Sequence, residues 1–168
     1  MLAKIFLTQD ELKEWLHYDP ITGIFKWIKS PARCAKVGAV AGSLSGDKYW
    51  QIRLLGRNHK AHRLAWLFMT GEYPEMVIDH RDRNRSNNIF TNLRAADFSQ
   101  NSSNAINNRE TATNIRGVCL IKGRYEARIR HKGVYHYLGS FDTAEIAKAA
   151  YEEAAEELHG EYKFVETI

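Results

Sequence analysis

Residues 77–101 read VIDHRDRNRSNNIFTNLRAADFSQN, and the folding of this stretch decides what is built around it. Val77-Ile78 is an apolar pair running into an acid and a histidine, Asp79-His80, after which the chain is polar from Arg81 to Asn88. An apolar run stopped by polar residues reads as a short strand that ends near His80. Successive side chains on a strand point to opposite faces, so Asp79 and His80 can serve one site only if the strand ends there. Asn92-Leu93-Arg94 and then Asn101 follow in the same stretch. Each piece alone is common, and only their order and spacing carry weight.

Upstream, Thr8-Gln9-Asp10-Glu11 has the form of a capping box, with Leu12, Trp15 and Leu16 at helical spacing behind it. Asp19-Pro20-Ile21-Thr22-Gly23 reads as a turn and Phe25-Lys26-Trp27 alternates like a strand. Gly38, Gly42 and Gly46 punctuate a loop or hairpin and lack the Gly-Lys-Ser/Thr ending of a phosphate loop. A strand is expected over Tyr49 to Leu55, and a helix over Ala61 to Met69 that stops at Gly71 and Pro74. Trp15, Trp27, Trp50 and Trp66 are core candidates, and His59 and His62 read as packing or phosphate contacts. Downstream, 101–114 is nearly all Asn, Ser, Thr and Arg, with too few apolar side chains to bury, and divides the chain. Beyond it, Arg116-Gly117-Val118, Arg124 to Arg130 and Val134 to Phe141 read as three strands joined by Lys-Gly turns. A helix capped at Asp142-Thr143 follows, with Ala147, Ala150, Tyr151, Ala154 and Leu158 on one stripe and Gly160 at its end.

The chain has 168 residues, 44% hydrophobic and 26% charged, an ordinary globular mix. Its longest apolar run, Leu64 to Met69, is six residues, far short of the ~20 that cross a membrane. The first seven residues are too short for a secretory core, and two cysteines make neither a disulfide framework nor a four-cysteine zinc site. A cytosolic protein is the expectation. The net charge of +4 is unevenly spread. Residues 115–142 hold six basic and two acidic side chains, and 143–168 hold two basic and seven acidic. A basic segment beside an acidic helix is a polarised module suited to a polyanion.

His62-Arg63-Leu64-Ala65-Trp66, Gly71-Glu72-Tyr73-Pro74, Asp79-His80, Asn87-Asn88 and Asn92-Leu93-Arg94-Ala95-Ala96, with Asn101, together resemble the HNH endonucleases, in the phage homing branch whose last motif position is Asn. Arg81-Asp82-Arg83-Asn84 departs from the turn usual in relatives, in the loop between the motif strands. The resemblance implies phosphodiester hydrolysis, and the residue types suit it. His80, with an ordinary pKa near ~6.5, can take a proton from water. Asp79 and Asn101 offer hard oxygens to one divalent ion, Mg²⁺ or Mn²⁺, that keeps water and phosphate on its other positions. Asn92 is assigned by the resemblance to holding the motif loop. Asn104 is the alternative ligand to Asn101, and the Cys/His pairs of a structural zinc site are missing.

The segment from about 115 to 163 resembles the Apetala-two/ethylene-response-factor DNA-binding domain, carried by Arg124 to Arg130, Tyr137-Leu138-Gly139-Ser140-Phe141-Asp142-Thr143-Ala144-Glu145, Ala149-Ala150-Tyr151 and His159-Gly160. Alternation puts Tyr125, Ala127 and Ile129 toward the helix and Arg128 and Arg130 away from it, with Tyr135 and Tyr137. The resemblance implies DNA contacts by Arg116, Arg130, Tyr135 and Tyr137, with Arg128 and Lys132 on phosphates. Cys119 and Ile121 stand where plant members usually have arginines, so their site preference does not transfer.

The expectation is therefore an α+β protein. Residues 1–102 form an N-terminal ββα-metal (HNH) nuclease region, 103–114 a polar linker, and 115–168 a three-stranded antiparallel sheet packed on one helix. Double-stranded DNA is the expected partner, with no membrane and no small-molecule cofactor, and the chain acts as a monomer or weak dimer. It is read as a phage-encoded protein of the host cytoplasm that nicks DNA at preferred sites, with a DNA-binding regulator carrying an idle nuclease site as the alternative.

Overall fold

The computed structural model describes residues 7–30, 35–97, 100–101 and 113–162. Two compact units divide between Ala96 and Asp97. The described residues form a mixed α/β protein of several small sheets and three α-helices.

In the first unit, α1 (Gln9–Trp15) is closed at its start by the capping box the sequence suggests. Thr8 Oγ1 accepts from the Glu11 amide at 3.2 Å, and Glu11 Oε2 accepts from the Thr8 amide at 2.9 Å. The chain passes directly into β1 (Leu16–Asp19), which pairs antiparallel with β2 (Ile24–Trp27). Asp19 makes the turn between them, its carboxylate accepting from the Ile21 amide and the Thr22 hydroxyl at 2.9 and 2.7 Å. Alternation then buries Leu16, Tyr18, Phe25 and Trp27 on one side.

A second sheet holds β3 (Ser43–Leu44), β4 (Trp50–Leu54) and β5 (Arg57–Lys60) in that spatial order. Strand β5 lies outside the sequence expectation. It is reached through Leu55-Gly56, both at positive φ (49° and 77°), as a tight two-residue turn between antiparallel strands requires. Leucine is not a turn residue, so the reversal carries little local signal. Helix α2 (Ala61–Thr70) starts at the end of β5 and ends on Gly71, whose left-handed backbone lets its N–H reach Leu67 O.

Strands β6 (Val77–His80) and β7 (Leu93–Ala96) form a two-stranded antiparallel ladder, with Asp79 opposite Arg94 and His80 opposite Leu93. A 3₁₀ turn, Phe90–Asn92, leads directly into β7. The core gathers Leu12, Leu16, Tyr18, Phe25, Ile52, Leu54, Leu64 and Leu67, and Trp27 joins it. Trp15, Trp50 and Trp66 pack on it half-buried.

In the second unit, β8 (Val118–Ile121), β9 (Arg124–His131) and β10 (Val134–Phe141) form an antiparallel sheet in the order β10-β9-β8. Lys122-Gly123 and Lys132-Gly133 make the two turns, all four residues at positive φ. Helix α3 (Ala144–His159), capped by Thr143, covers one face. Val118, Ala127 and Ala147 are the buried centre, with Ile115, Tyr125, Leu138 and Phe141 around them. No helix among the described residues is long and apolar enough to cross a membrane.

Candidate active site and nucleic-acid interface

Strand β6 ends at His80, and the chain turns there: the Arg81 amide donates to Asn92 O at 2.9 Å and the Arg83 amide to His80 O at 2.9 Å. Asn92 ties the intervening loop together. Its Oδ1 accepts from the Asp82 amide at 3.0 Å, while its Nδ2 donates to Asp82 Oδ1 at 2.9 Å and to Asn87 O at 3.0 Å. Asp82 Oδ2 accepts in turn from Asn87 Nδ2 at 2.6 Å. An amide at position 92 is needed because it donates and accepts at once, which a carboxylate cannot do.

Neighbours on a strand diverge, and Asp79 and His80 do so. The Asp79 carboxylate is buried and accepts through Oδ2 from Arg94 Nε at 3.0 Å and Nη2 at 2.8 Å. His80, also buried, places Nε2 3.4 Å from Asn88 Oδ1. The His80 ring meets the His62 ring edge to face at 5.0 Å between centroids, and Tyr49 at 6.1 Å. Burial pulls the His80 pKa below the ordinary histidine value, against the opposing pull of Asn88. Deeper burial, with His80, Lys60 and Arg63 as positive neighbours, takes His62 down to about 3. Both imidazoles are therefore neutral near pH ~7.

Asn88 is braced from the N-terminal hairpin. Tyr18 Oη donates to Asn88 O at 2.6 Å. A Cβ on Gly23 would lie 2.5 Å from Asn88 C and Ile89 N, so the β1–β2 turn approaches the loop as closely as glycine permits.

Asn101 belongs to the second unit, where its amide donates to Asp97 O at 3.0 Å. Asn104 lies outside the described residues, as does most of the expected linker. Among the described residues no group of three His, Cys, Asp or Glu side chains could hold a metal. Among the described residues, the first unit offers near His80 the carboxylates of Asp82 and Asp79 and the amide oxygen of Asn88. That donor chemistry suits a hard, water-rich divalent cation and not structural zinc.

In the second unit, Arg128 and Arg130 on β9 stand opposite Tyr137 and Tyr135 on β10. Each guanidinium lies over its partner's ring, at 5.9 Å for Arg128 and 5.3 Å for Arg130. Arg128 also meets Glu126 Oε2 at 2.5 Å, and Arg130 Nε donates to Gly133 O at 3.3 Å. The four side chains are exposed and Lys132 is exposed at the hairpin tip, so these five expected contacts share one region. Arg116 is set apart. It is half-buried, and its Nε donates to Tyr151 Oη at 3.0 Å, which ties it to α3.

Sequence reasoning gave no role to Tyr49, Lys60 or Arg85, and named Asn88 and Arg94 only as part of the motif pattern. They come from four separate stretches, and no local pattern marks residues whose meeting depends on β4, β5 and the motif loop packing together. The role of Arg94 emerges from the strand register, which places it opposite Asp79.

Residues 59–103 match the family model described as HNH endonuclease, and this range holds Asp79, His80, Asn92 and Asn101. No solved structure gives a significant match. An uncharacterized HNH endonuclease of Acanthamoeba polyphaga mimivirus is 36% identical over 104 residues, covering 60% of this chain. The chain matches 54%, about half, of the length of that relative. Both comparisons are to HNH endonucleases, and the segment matched by the family model is the one that builds the His80 site.

Proposed function

We propose that this chain is a metal-dependent DNA endonuclease of the homing type that nicks one strand per visit, with a second unit that reads the duplex. The reading rests on His80, a buried neutral imidazole where β6 gives way to the Asn92-held loop, within the matched segment. Phosphodiester hydrolysis needs water deprotonated near neutral pH, and a neutral imidazole is the side chain fitted to do it. The Asn88 amide oxygen facing Nε2 favours the tautomer that carries its proton there. HNH nucleases generally use a divalent metal, which when bound supplies a Lewis acid for the phosphoryl and leaving oxygens. Asp79 would hold that ion, Mg²⁺ or Mn²⁺, with Asn101 or Asn104 as the second oxygen donor. Arg94 holds the Asp79 carboxylate in place, and Asn92 fixes the loop that presents His80. On the second unit, the Arg128–Tyr137 and Arg130–Tyr135 pairs and Lys132 present cations and flat rings to a groove, while Arg116 acts from beside α3.

A second reading, a DNA-binding regulator with an idle site, draws on the Asp79–Arg94 ion pair, which already engages the carboxylate a metal would need. Incubating supercoiled DNA with the full chain in Mg²⁺, Mn²⁺ or EDTA separates the two. Metal-dependent nicking that disappears in His80→Ala while gel-shift binding persists supports the nuclease. Activity kept in Asn101→Ala and lost in Asn104→Ala moves the ligand to Asn104. Site-specific binding with no cleavage in any metal supports the regulator.

A further inference from the structure

Two cations stand beside His80 that the proposed chemistry does not use, and one aromatic ring holds both. Lys60 Nζ lies 3.7 Å above the centre of the Tyr49 ring, and the Arg85 guanidinium lies 5.2 Å from it. The same Tyr49 ring is 6.1 Å from the His80 ring. The two cations also share one neighbouring residue, Asp47, Lys60 through its carboxylate and Arg85 through its backbone carbonyl. Lys60 Nζ is 3.5 Å from Asp47 Oδ2, and Arg85 Nη1 donates to Asp47 O at 3.3 Å. Asp47 is itself drawn toward Ser45, whose hydroxyl donates to Oδ1.

These contacts position the cations without satisfying them. A lysine has three N–H donors and an arginine five, yet the bonds here are single and long. One carboxylate cannot neutralise two cations, so a net positive charge remains. Holding long side chains on a ring lowers the entropy lost when they close on a ligand, and an arginine fork is shaped for a phosphate. Exposed cations tied up in strong ion pairs would lack this spare capacity.

We infer that Tyr49 holds Lys60 and Arg85 as a two-point clamp for the DNA backbone, gripping phosphates beside the one presented to His80. This inference rests on the nuclease reading of the His80 site, and it names the substrate group that the site's rim recognises. The Asp47 carboxylate is the counter-ion of Lys60 within the clamp, displaced from it when phosphate arrives.

The test is DNA binding by the full chain, measured against salt over about 50–200 mM, so that it is read without cleavage. Each lost phosphate contact should make the log–log salt slope shallower by about 0.9. Lys60→Gln and Arg85→Gln should each show that change, and the double variant about twice it. Asp47→Asn removes the competing carboxylate and should tighten binding severalfold, the opposite of what loss of a structural contact would do. Tyr49→Phe keeps the ring and should keep the slope, whereas Tyr49→Leu should weaken binding with a fold preserved by thermal melting. Unchanged slopes in both cation variants, or weaker binding in Asp47→Asn, overturn the clamp. The expected shallower slopes in the cation variants, without metal-dependent nicking by wild type, leave the clamp standing and overturn the nuclease reading. A wild-type chain that binds no DNA overturns both.

Discussion

Burying His62 at 5% exposure makes the stability of the first unit depend on pH. Its pKa is about 3 in the folded chain, against about 6.5 when unfolded. Below that higher value the unfolded chain takes up a proton the folded chain refuses, so stability falls as pH drops from about 6.5 toward about 3. The slope approaches about 1.4 kcal/mol per pH unit for a group shifted this far, and it vanishes above about pH 7. Urea melts at about pH 7 and about pH 5.5 should show the loss, and His62→Phe should flatten it. His80 shifts in the same direction, so some slope remains in that variant. Asn92 gives a second residue-level expectation. Asn92→Ala removes the three side-chain hydrogen bonds that tie its loop, at about 1 kcal/mol net for each. Denaturant titration should show a stability loss of about 2–4 kcal/mol, accompanied by loss of nicking. Asp79, His80 and Asn92 stand out in the sequence because their order and spacing resemble the HNH pattern. The company His80 keeps was not legible there, since Tyr49, His62 and Asn88 reach it only through tertiary packing.

Between elements, two glycines set how closely segments meet. Gly23 lets the β1–β2 turn lie against the loop that carries Asn88, and its φ of +72° is a conformation other residues resist. Gly23→Ala should therefore lower the melting temperature and reduce cleavage together, through a loop far from it in sequence. A plate-based melt and a nicking assay on the same preparation check this. Gly117 does the same work in the second unit, where a Cβ would lie 2.2 Å from the Tyr151 ring and 2.7 Å from Arg128 O. Helices α1 and α2 were readable from capping and periodicity, and the hairpins around Lys122-Gly123 and Lys132-Gly133 from turn chemistry. Strand β5 escaped because its turn is Leu55-Gly56 and its own residues, Arg57-Asn58-His59-Lys60, have no apolar alternation to announce a strand. Sheet pairing with β4, not its composition, makes it one.

At the scale of the whole molecule, two units with separate cores carry the two tasks proposed here. Substitutions on the exposed sheet of the second unit should then separate recognition from chemistry. The double variant Arg128→Ala with Arg130→Ala should lose most of its preference among DNA sequences. It should still nick plasmid in a manner that needs His80, as gel shift with competitor DNA and a nicking assay would show. The polarised charge of residues 115–168 was legible from composition alone, whereas the stacking of each arginine on a tyrosine needed the β9–β10 register.

The hydrogen bond from Tyr18 to Asn88 spans 70 positions, whereas β9 pairs with its neighbours across two-residue turns. Distant partners must close a large loop before any contact rewards them, so such structure forms later than adjacent hairpins. Time therefore enters the behaviour of this chain. During refolding, the arginine–tyrosine sheet should acquire its shape before the His80 pocket, and under the proposed function DNA binding should return ahead of cleavage in a refolding time course.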